Sequence, residues 1–285
     1  MSKNYRDELV GVFGYPVDDN PTVVIQEAAF RALGLPYRYL TIEVRPGDLG
    51  HAMDGLRAMN MKGINITMPF KTEVLQYLDE VAPDAAVMGA VNTVYVKDGK
   101  LYGENTDGKG FLLALKQGGV ELSGKKAVLL GAGGAARAIA GELANAGVKE
   151  IVVVNRGTER GEALAALINE KTSAHAEYVK WNGTYPIPAD ADILVNCTSI
   201  GFEPGGQEKP DVDYGAINET MTVCDVIPNT PDTPFLKEAG RRGARIFDGL
   251  TMLINQGVLG FELWTGQKAP VDAMRLALEE EFGLI

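Results

Sequence analysis

Histidine and cysteine are scarce in this chain. Its 285 residues hold two of each: His51 and His175, Cys197 and Cys224. The histidines lie far apart with no cysteine beside them, which gives a zinc site no support and removes the commonest general base from consideration. Both cysteines sit in or beside apolar runs and read as buried thiols of a reducing compartment, not as a disulfide. Positive charge is also short. The 27 Lys and Arg against 38 Asp and Glu leave a net charge of −11, which argues against nucleic acid or an anionic membrane as partner. No apolar run is long enough to span a bilayer, and the opening MSKNYRDE has no signal-type apolar core. Repeats and low-complexity segments are absent. What remains has the composition of a globular cytoplasmic enzyme long enough for two domains.

The most informative stretch is residues 126–156. An apolar run leads into Gly131-Ala132-Gly133-Gly134-Ala135-Ala136, then a helical pattern, then a second apolar run ending at Asn155-Arg156. This strand, glycine turn, helix, strand order is that of a dinucleotide site. Gly131 permits the tight turn, Gly133 lets backbone approach a pyrophosphate, and the small Ala136 lets the helix pack closely on the strand. The pyrophosphate is expected on the helix N-terminus, where free N–H groups and the dipole favour an anion. An NAD site usually carries Asp or Glu at the end of the second strand. Here Asn155 stands there, followed by Arg156 and, one turn on, Arg160, groups that pair with a 2′-phosphate. NADP is therefore expected over NAD.

The hydrophobic pattern predicts an α/β fold of two domains. Strands are expected at 9–13, 37–42 and 63–66, and helices at 23–33, 47–59, 71–79 and 82–88. A β-hairpin turning at Asp98-Gly99 is expected before a helix over 107–118. The dinucleotide domain follows, with strands near 126–131, 150–155, 174–179, 192–196, 222–226 and 244–247. Residues 249–285 read as largely helical, with a break at Gly266–Pro270. Alternating helices and buried strands predict parallel sheets in both halves. Ligand and cofactor are expected at the carboxyl ends of the strands, in the cleft between the domains. The expected division is 1–112 for substrate binding, 113–247 for a Rossmann-type NADP domain, and 248–285 for helices returning to the first domain.

Nicotinamide carries hydride but no proton, so oxidising an alcohol requires a base near the hydroxyl. With histidine nearly absent, Lys71 and Asp107 lead. Taken alone, each keeps a plain reading: a solvated lysine, and an N-cap on the following helix. Asn65 and Asn92 read equally as turn residues. Spacing leaves these alternatives open.

The chain resembles the shikimate dehydrogenases through ordered motifs along nearly its whole length. They are NITMPFK (65–71), AVNT (90–93), GENTDG (103–108), GAGGAAR (131–137), NRGTER (155–160), NCTSIG (196–201) and DGLTMLINQ (248–256). The resemblance implies that Lys71 and Asp107 are the catalytic pair, Lys71 exchanging the hydroxyl proton and Asp107 hydrogen-bonding both the lysine and a substrate hydroxyl. It implies Asn65, Asn92 and Gln256 as partners of ring hydroxyls, and Thr67 near the substrate carboxylate. Thr198, Gly249 and Met252 would lie along the nicotinamide. The implied activity is NADP-dependent interconversion of shikimate and 3-dehydroshikimate, with a small cyclic hydroxy acid as partner and a monomer or homodimer as the assembly.

Two departures bear on the substrate. Where the family carries a serine-x-serine segment that binds the substrate carboxylate, this chain has Asn20-Pro21-Thr22, preceded by Asp18 and Asp19. Asn20 and Thr22 still donate hydrogen bonds, but the acidic pair adds negative charge beside an anion site. Pro228 stands where a family tyrosine helps surround nicotinamide and substrate. The alternatives are a relative acting on quinate or another cyclic polyol, and a nucleotide-binding sensor with little turnover.

Overall fold

The computed structural model describes residues 5–202, 207–228 and 230–285. The chain forms two compact units, one of residues up to Thr106 together with Gln256–Ile285, the other Asp107–Asn255.

In the first unit, β1 (Glu8–Gly14), α1 (Thr22–Leu33), β2 (Tyr37–Glu43), α2 (Leu49–Ala58) and β3 (Gly63–Ile66) alternate as the apolar pattern predicts. Gly34, at φ 63°, closes α1 in the left-handed conformation that glycine adopts without strain. Next come β4 (Glu80–Val81), α3 (Pro83–Met88), β5 (Thr93–Lys97) and β6 (Lys100–Glu104). The β5–β6 hairpin turns on Asp98 and Gly99, at φ 52° and 75°, the two left-handed residues such a turn requires.

The sheet order is β2-β1-β3-β5-β6-β4. It is mixed, where a parallel sheet was expected: β5 runs antiparallel to both β3 and β6. The hairpin that the Asp-Gly turn builds brings an antiparallel strand against β3. The helix expected over 71–79 is a 3₁₀ turn, Glu73–Tyr77. Pairing of Glu80 with Tyr102 draws the following residues into β4, so a non-local ladder overrides local helical pattern.

One face of this sheet carries Phe13, Ile64, Ile66 and Val94 against Leu49, Met53 and Leu56 of α2. Asn65 alternates to the opposite face. In the last two helices, Gln256–Thr265 of α8 (Gly249–Thr265) and α9 (Val271–Glu281) belong to this unit. There Phe30 stacks on Phe261 with ring centroids 5.5 Å apart, and Trp264 Nε1 donates to the Val94 carbonyl at 3.0 Å.

In the second unit, α4 (Thr106–Gln117) leads to β7 (Lys126–Leu130), α5 (Gly134–Asn145), β8 (Glu150–Asn155) and α6 (Thr158–Lys171). Then follow β9 (His175–Lys180), β10 (Ile193–Asn196), β11 (Thr222–Asp225), α7 (Pro234–Arg241) and β12 (Arg245–Phe247). The sheet is parallel throughout, in the order β12-β11-β10-β7-β8-β9. Ala127 and Leu129 face a core with Ile139, Leu143, Leu164 and Ile168, while Val128 and Leu130 face another with Phe235, Leu236 and Trp181. Burial on both faces is why these strands read as continuous apolar runs.

Candidate functional site

The glycine turn leaves β7 where the sheet order reverses between β7 and β10, the switch point at which open α/β sheets bind ligands. Gly131 has φ 109°, and a Cβ there would stand 3.0 Å from Thr198 Cγ2, so only glycine fits the turn. Around Gly133 a Cβ would meet nothing within 4 Å, which leaves open space above the backbone. No side chain caps α5 at Gly133, so its first-turn N–H groups remain for an anion. Ala132 and Ala135 are half-buried, Gly134 is exposed, and Ala136 is fully buried under the helix. This cradle fits a dinucleotide pyrophosphate.

At the end of β8, Asn155 Nδ2 donates to the Gly157 carbonyl at 2.8 Å. That bond shapes the turn which presents Arg156. Arg156 and Arg160 are both exposed. Arg156 borders a cavity of about 340 Å³ shared with Trp181, Gly183, Ile200 and Lys209. Its two cations, Arg156 and Lys209, suit a 2′-phosphate, whereas Glu208 and Asp211, which also line it, oppose one.

The loop after β10 is held by Asn196, whose Oδ1 accepts from Thr198 N at 3.1 Å and Thr198 Oγ1 at 2.7 Å. Gly249 is buried, and a Cβ on it would strike the Ile227 carbonyl, so glycine lets α8 approach the 226–228 segment. Met252 packs into the core beneath α4 and α5 at 8% exposure. Asn255 Nδ2, one turn on, donates to the Gly110 carbonyl at 3.1 Å.

In the first unit a buried polar chain runs through two of the other residues singled out from the sequence, Asn65 and Asn92. Tyr39 OH donates to Asn65 Oδ1 at 2.7 Å. Asn65 Nδ2 donates to Thr93 Oγ1 at 2.9 Å and to the Asn92 carbonyl at 3.2 Å. Asn92 in turn holds Thr106, accepting from its N–H at 2.7 Å and donating to its Oγ1 at 3.0 Å. The two asparagines thereby tie β2, β3 and β5 to the entry of α4. Burial pushes the Tyr39 phenol well up, so it stays a neutral donor. Tyr39, Thr93 and Thr106 were not singled out from sequence. The two threonines lie inside the AVNT and GENTDG motifs, whereas Tyr39 has no local signal.

Lys71 follows the turn that leaves β3 and is half-buried. Its carbonyl accepts from Val91 N at 2.8 Å. Thr67, also half-buried, bonds through its N–H to the Phe13 carbonyl at 2.9 Å. Asp107 is half-buried in the first turn of α4, one residue inside the helix rather than at its N-cap. Gln256 is 5% exposed and its Nε2 has no hydrogen-bond partner, a buried donor of the kind that awaits a ligand or water.

The loop before α1 is internally engaged. Asn20 Oδ1 accepts from Thr22 N at 3.0 Å, and the buried Thr22 hydroxyl bonds to Tyr39. Asp18 and Asp19 are exposed beside them.

Among the described residues no group of three His, Cys, Asp or Glu is placed to hold a metal, and no helix is long and apolar enough to cross a membrane. The glycine cradle and the arginines beyond β8 define an NADP-dependent oxidoreductase of Rossmann type. Three family models match in order: the shikimate dehydrogenase substrate binding domain over residues 12–94, shikimate/quinate 5-dehydrogenase over 112–201, and the shikimate 5′-dehydrogenase C-terminal domain over 249–279. The NADP(+)-type shikimate dehydrogenase of Desulforamulus reducens is 41% identical over 281 residues, covering 98% of this chain and 97% of that one. The chain belongs to the shikimate dehydrogenase family.

Among solved structures, shikimate 5-dehydrogenase of Thermus thermophilus, in complex with NADP(H) and shikimate, is 34% identical with a TM-score of 0.82. The match covers 96% of this chain and 99% of that one. The ligand-free 5-ketofructose reductase of a Gluconobacter strain is 46% identical with a TM-score of 0.92, covering 98% and 100%.

Proposed function

We propose that this protein interconverts a ring alcohol and its ketone with NADP(H), the pair being shikimate and 3-dehydroshikimate. The observation that carries it is the unbroken set of polar residues in their family motifs, Asn65, Lys71, Asn92, Asp107 and Gln256, beside curated relatives with that activity. When bound, NADP supplies the hydride acceptor. Lys71 takes the hydroxyl proton during oxidation and returns it during reduction, and Asp107 orients the reacting hydroxyl. A lysine acts as a base at neutral pH only once desolvation or nearby charge favours its neutral form. Gln256 offers its unpartnered Nε2 to a substrate oxygen. Asn65 and Asn92, their donors and acceptors engaged inside the fold, act chiefly by holding the segments that carry Thr67, Lys71 and Asp107. Thr67 donates its hydroxyl near the substrate's polar end. Arg156 and Arg160 take the 2′-phosphate, while Thr198, Gly249 and Met252 flank the nicotinamide end.

A second reading is favoured by the loop Asp18–Thr22. One acceptor of Asn20 closes its own turn, the Thr22 hydroxyl is engaged with Tyr39, and two exposed aspartates stand beside them. This loop disfavours an anion and suits an uncharged polyhydroxy ketone of the 5-ketofructose kind, the substrate named for the 46% identical Gluconobacter protein. Losing one good hydrogen bond to a charged group costs about 1.5–3 kcal/mol, roughly 10- to 200-fold in affinity.

Initial rates with shikimate and quinate plus NADP, and with 5-ketofructose plus NADPH, separate the readings. Turnover of shikimate with kcat/KM above about 10⁴ M⁻¹ s⁻¹, the usual range for a working enzyme, supports the first. Turnover confined to the uncharged ketone replaces it with the second.

A further inference from the structure

The reversal of the second sheet between β7 and β10 divides a dinucleotide over the crevice into two halves. The glycine turn and Arg156 mark the β7–β8 side for pyrophosphate and adenosine. The nicotinamide half is left to the loops that follow β10 and β11. One buried carboxylate joins those loops. Asp225, the last residue of β11, is 2% exposed. Its Oδ1 accepts from Asn196 Nδ2 at 3.0 Å and from Ile227 N at 3.2 Å. Its Oδ2 accepts from Thr233 Oγ1 at 2.8 Å.

Each donor controls a different piece of backbone. Asn196 Nδ2 also reaches the Ile200 carbonyl at 3.3 Å, and its Oδ1 holds Thr198, whose hydroxyl accepts from Ile200 N at 3.1 Å. Ile227 N fixes the segment against which Gly249 packs. Thr233 caps α7, accepting from Leu236 N at 3.2 Å. A carboxylate is the side chain suited to a point where every neighbour donates, because it alone offers two acceptor oxygens and no donor.

We propose that Asp225 is the positioning residue of the nicotinamide half of the cofactor site, setting the 197–201 and 226–228 loops in register with each other. It acts through Asn196, Ile227 and Thr233 and touches neither substrate nor cofactor. The inference rests on NADP binding and is independent of which ketone is reduced. Asp225→Asn keeps the shape but turns one acceptor into a donor facing donors, a loss of one charge-assisted bond.

The test compares two ligands by equilibrium titration. NADPH spans both halves, whereas adenosine 2′,5′-bisphosphate carries only the adenosine half. The Asp225→Asn protein is expected to bind NADPH about tenfold more weakly while its affinity for the bisphosphate stays within about twofold. Equal weakening of both ligands, or of neither, overturns the assignment. Should that variant not fold, Thr233→Val removes one donor and Thr233→Ser restores it. NADPH binding alone is then expected to weaken about threefold in the valine protein and to return in the serine protein. Equal behaviour of the two ligands in that pair is equally fatal to the proposal.

Discussion

Tyr39 and Asn65 meet in a buried hydrogen bond of 2.7 Å that joins β2 to the face of β3 opposite the apolar core. The phenol also engages the Thr22 hydroxyl, so a single ring links the first residue of α1 to the asparagine before the lysine segment. Tyr39→Phe removes the hydroxyl from both partners and leaves buried polar atoms without it. A loss of about 1–3 kcal/mol in unfolding free energy is expected, read from urea denaturation. Unchanged stability would mean that water replaces the hydroxyl and that the chain is not a structural link.

The proton-transfer assignment stands on Lys71. Lys71→Ala is expected to lower kcat by about 10²–10⁴ while NADP affinity changes little, because positioned proton transfer contributes on that scale. Pre-steady-state and steady-state rates with whichever substrate the initial-rate comparison selects provide the measurement. A variant with near-normal turnover would place the proton acceptor elsewhere.

The proposed preference for NADP rests on Arg156. Its exposed guanidinium follows Asn155, in a position where a carboxylate would repel a 2′-phosphate. Arg156→Ala is expected to reduce kcat/KM for NADP about tenfold or more and to leave NAD nearly untouched. A mutant that keeps its NADP-over-NAD ratio assigns the phosphate to Arg160 or Lys209 instead.

What could be read from sequence was local. Asp98-Gly99 names its hairpin because the turn demands two left-handed residues, and residues 126–156 name the dinucleotide cradle because Gly131 and Gly133 sit at fixed offsets from a strand and a helix. The helical pattern over 71–79 yields only a 3₁₀ turn, Glu73–Tyr77, and Asp79 N already bonds to the Leu101 carbonyl, a partner distant in sequence. Tyr39 was invisible for the same reason: a tyrosine in a strand is ordinary until Asn65 is seen against it. Asn20 and Thr22 are legible as departures, but the bond from the Thr22 N–H to Asn20 Oδ1 and that between the Thr22 hydroxyl and Tyr39 are not, since they depend on how the loop folds back. Asp225 carries no local signal, because the groups that donate to it, among them Asn196, Ile227 and Thr233, come from separate segments.

The same carboxylate makes stability depend on pH. Burial pushes Asp225 up to about 6, against the hydrogen bonds it accepts. Its folded value therefore lies above the ordinary aspartate value of 3.8. The folded protein then binds the proton more tightly than the unfolded chain, so this group's contribution is complete below about pH 4 and is lost as pH rises through about 6. The shift of roughly two units corresponds to about 3 kcal/mol between those limits. Nearby titratable groups do not confuse the reading. Burial also raises Cys197, Cys224 and Tyr214, which stay neutral throughout this window. Asp225→Asn has nothing to titrate, and the remaining surface carboxylates are common to both proteins. The unfolding free energy of the original protein minus that of the variant is expected to be larger at pH 4.5 than at pH 8, by about 1–3 kcal/mol. A difference that does not move with pH would mean that Asp225 ionises in the fold as it does in the open chain, with its donors offsetting its burial.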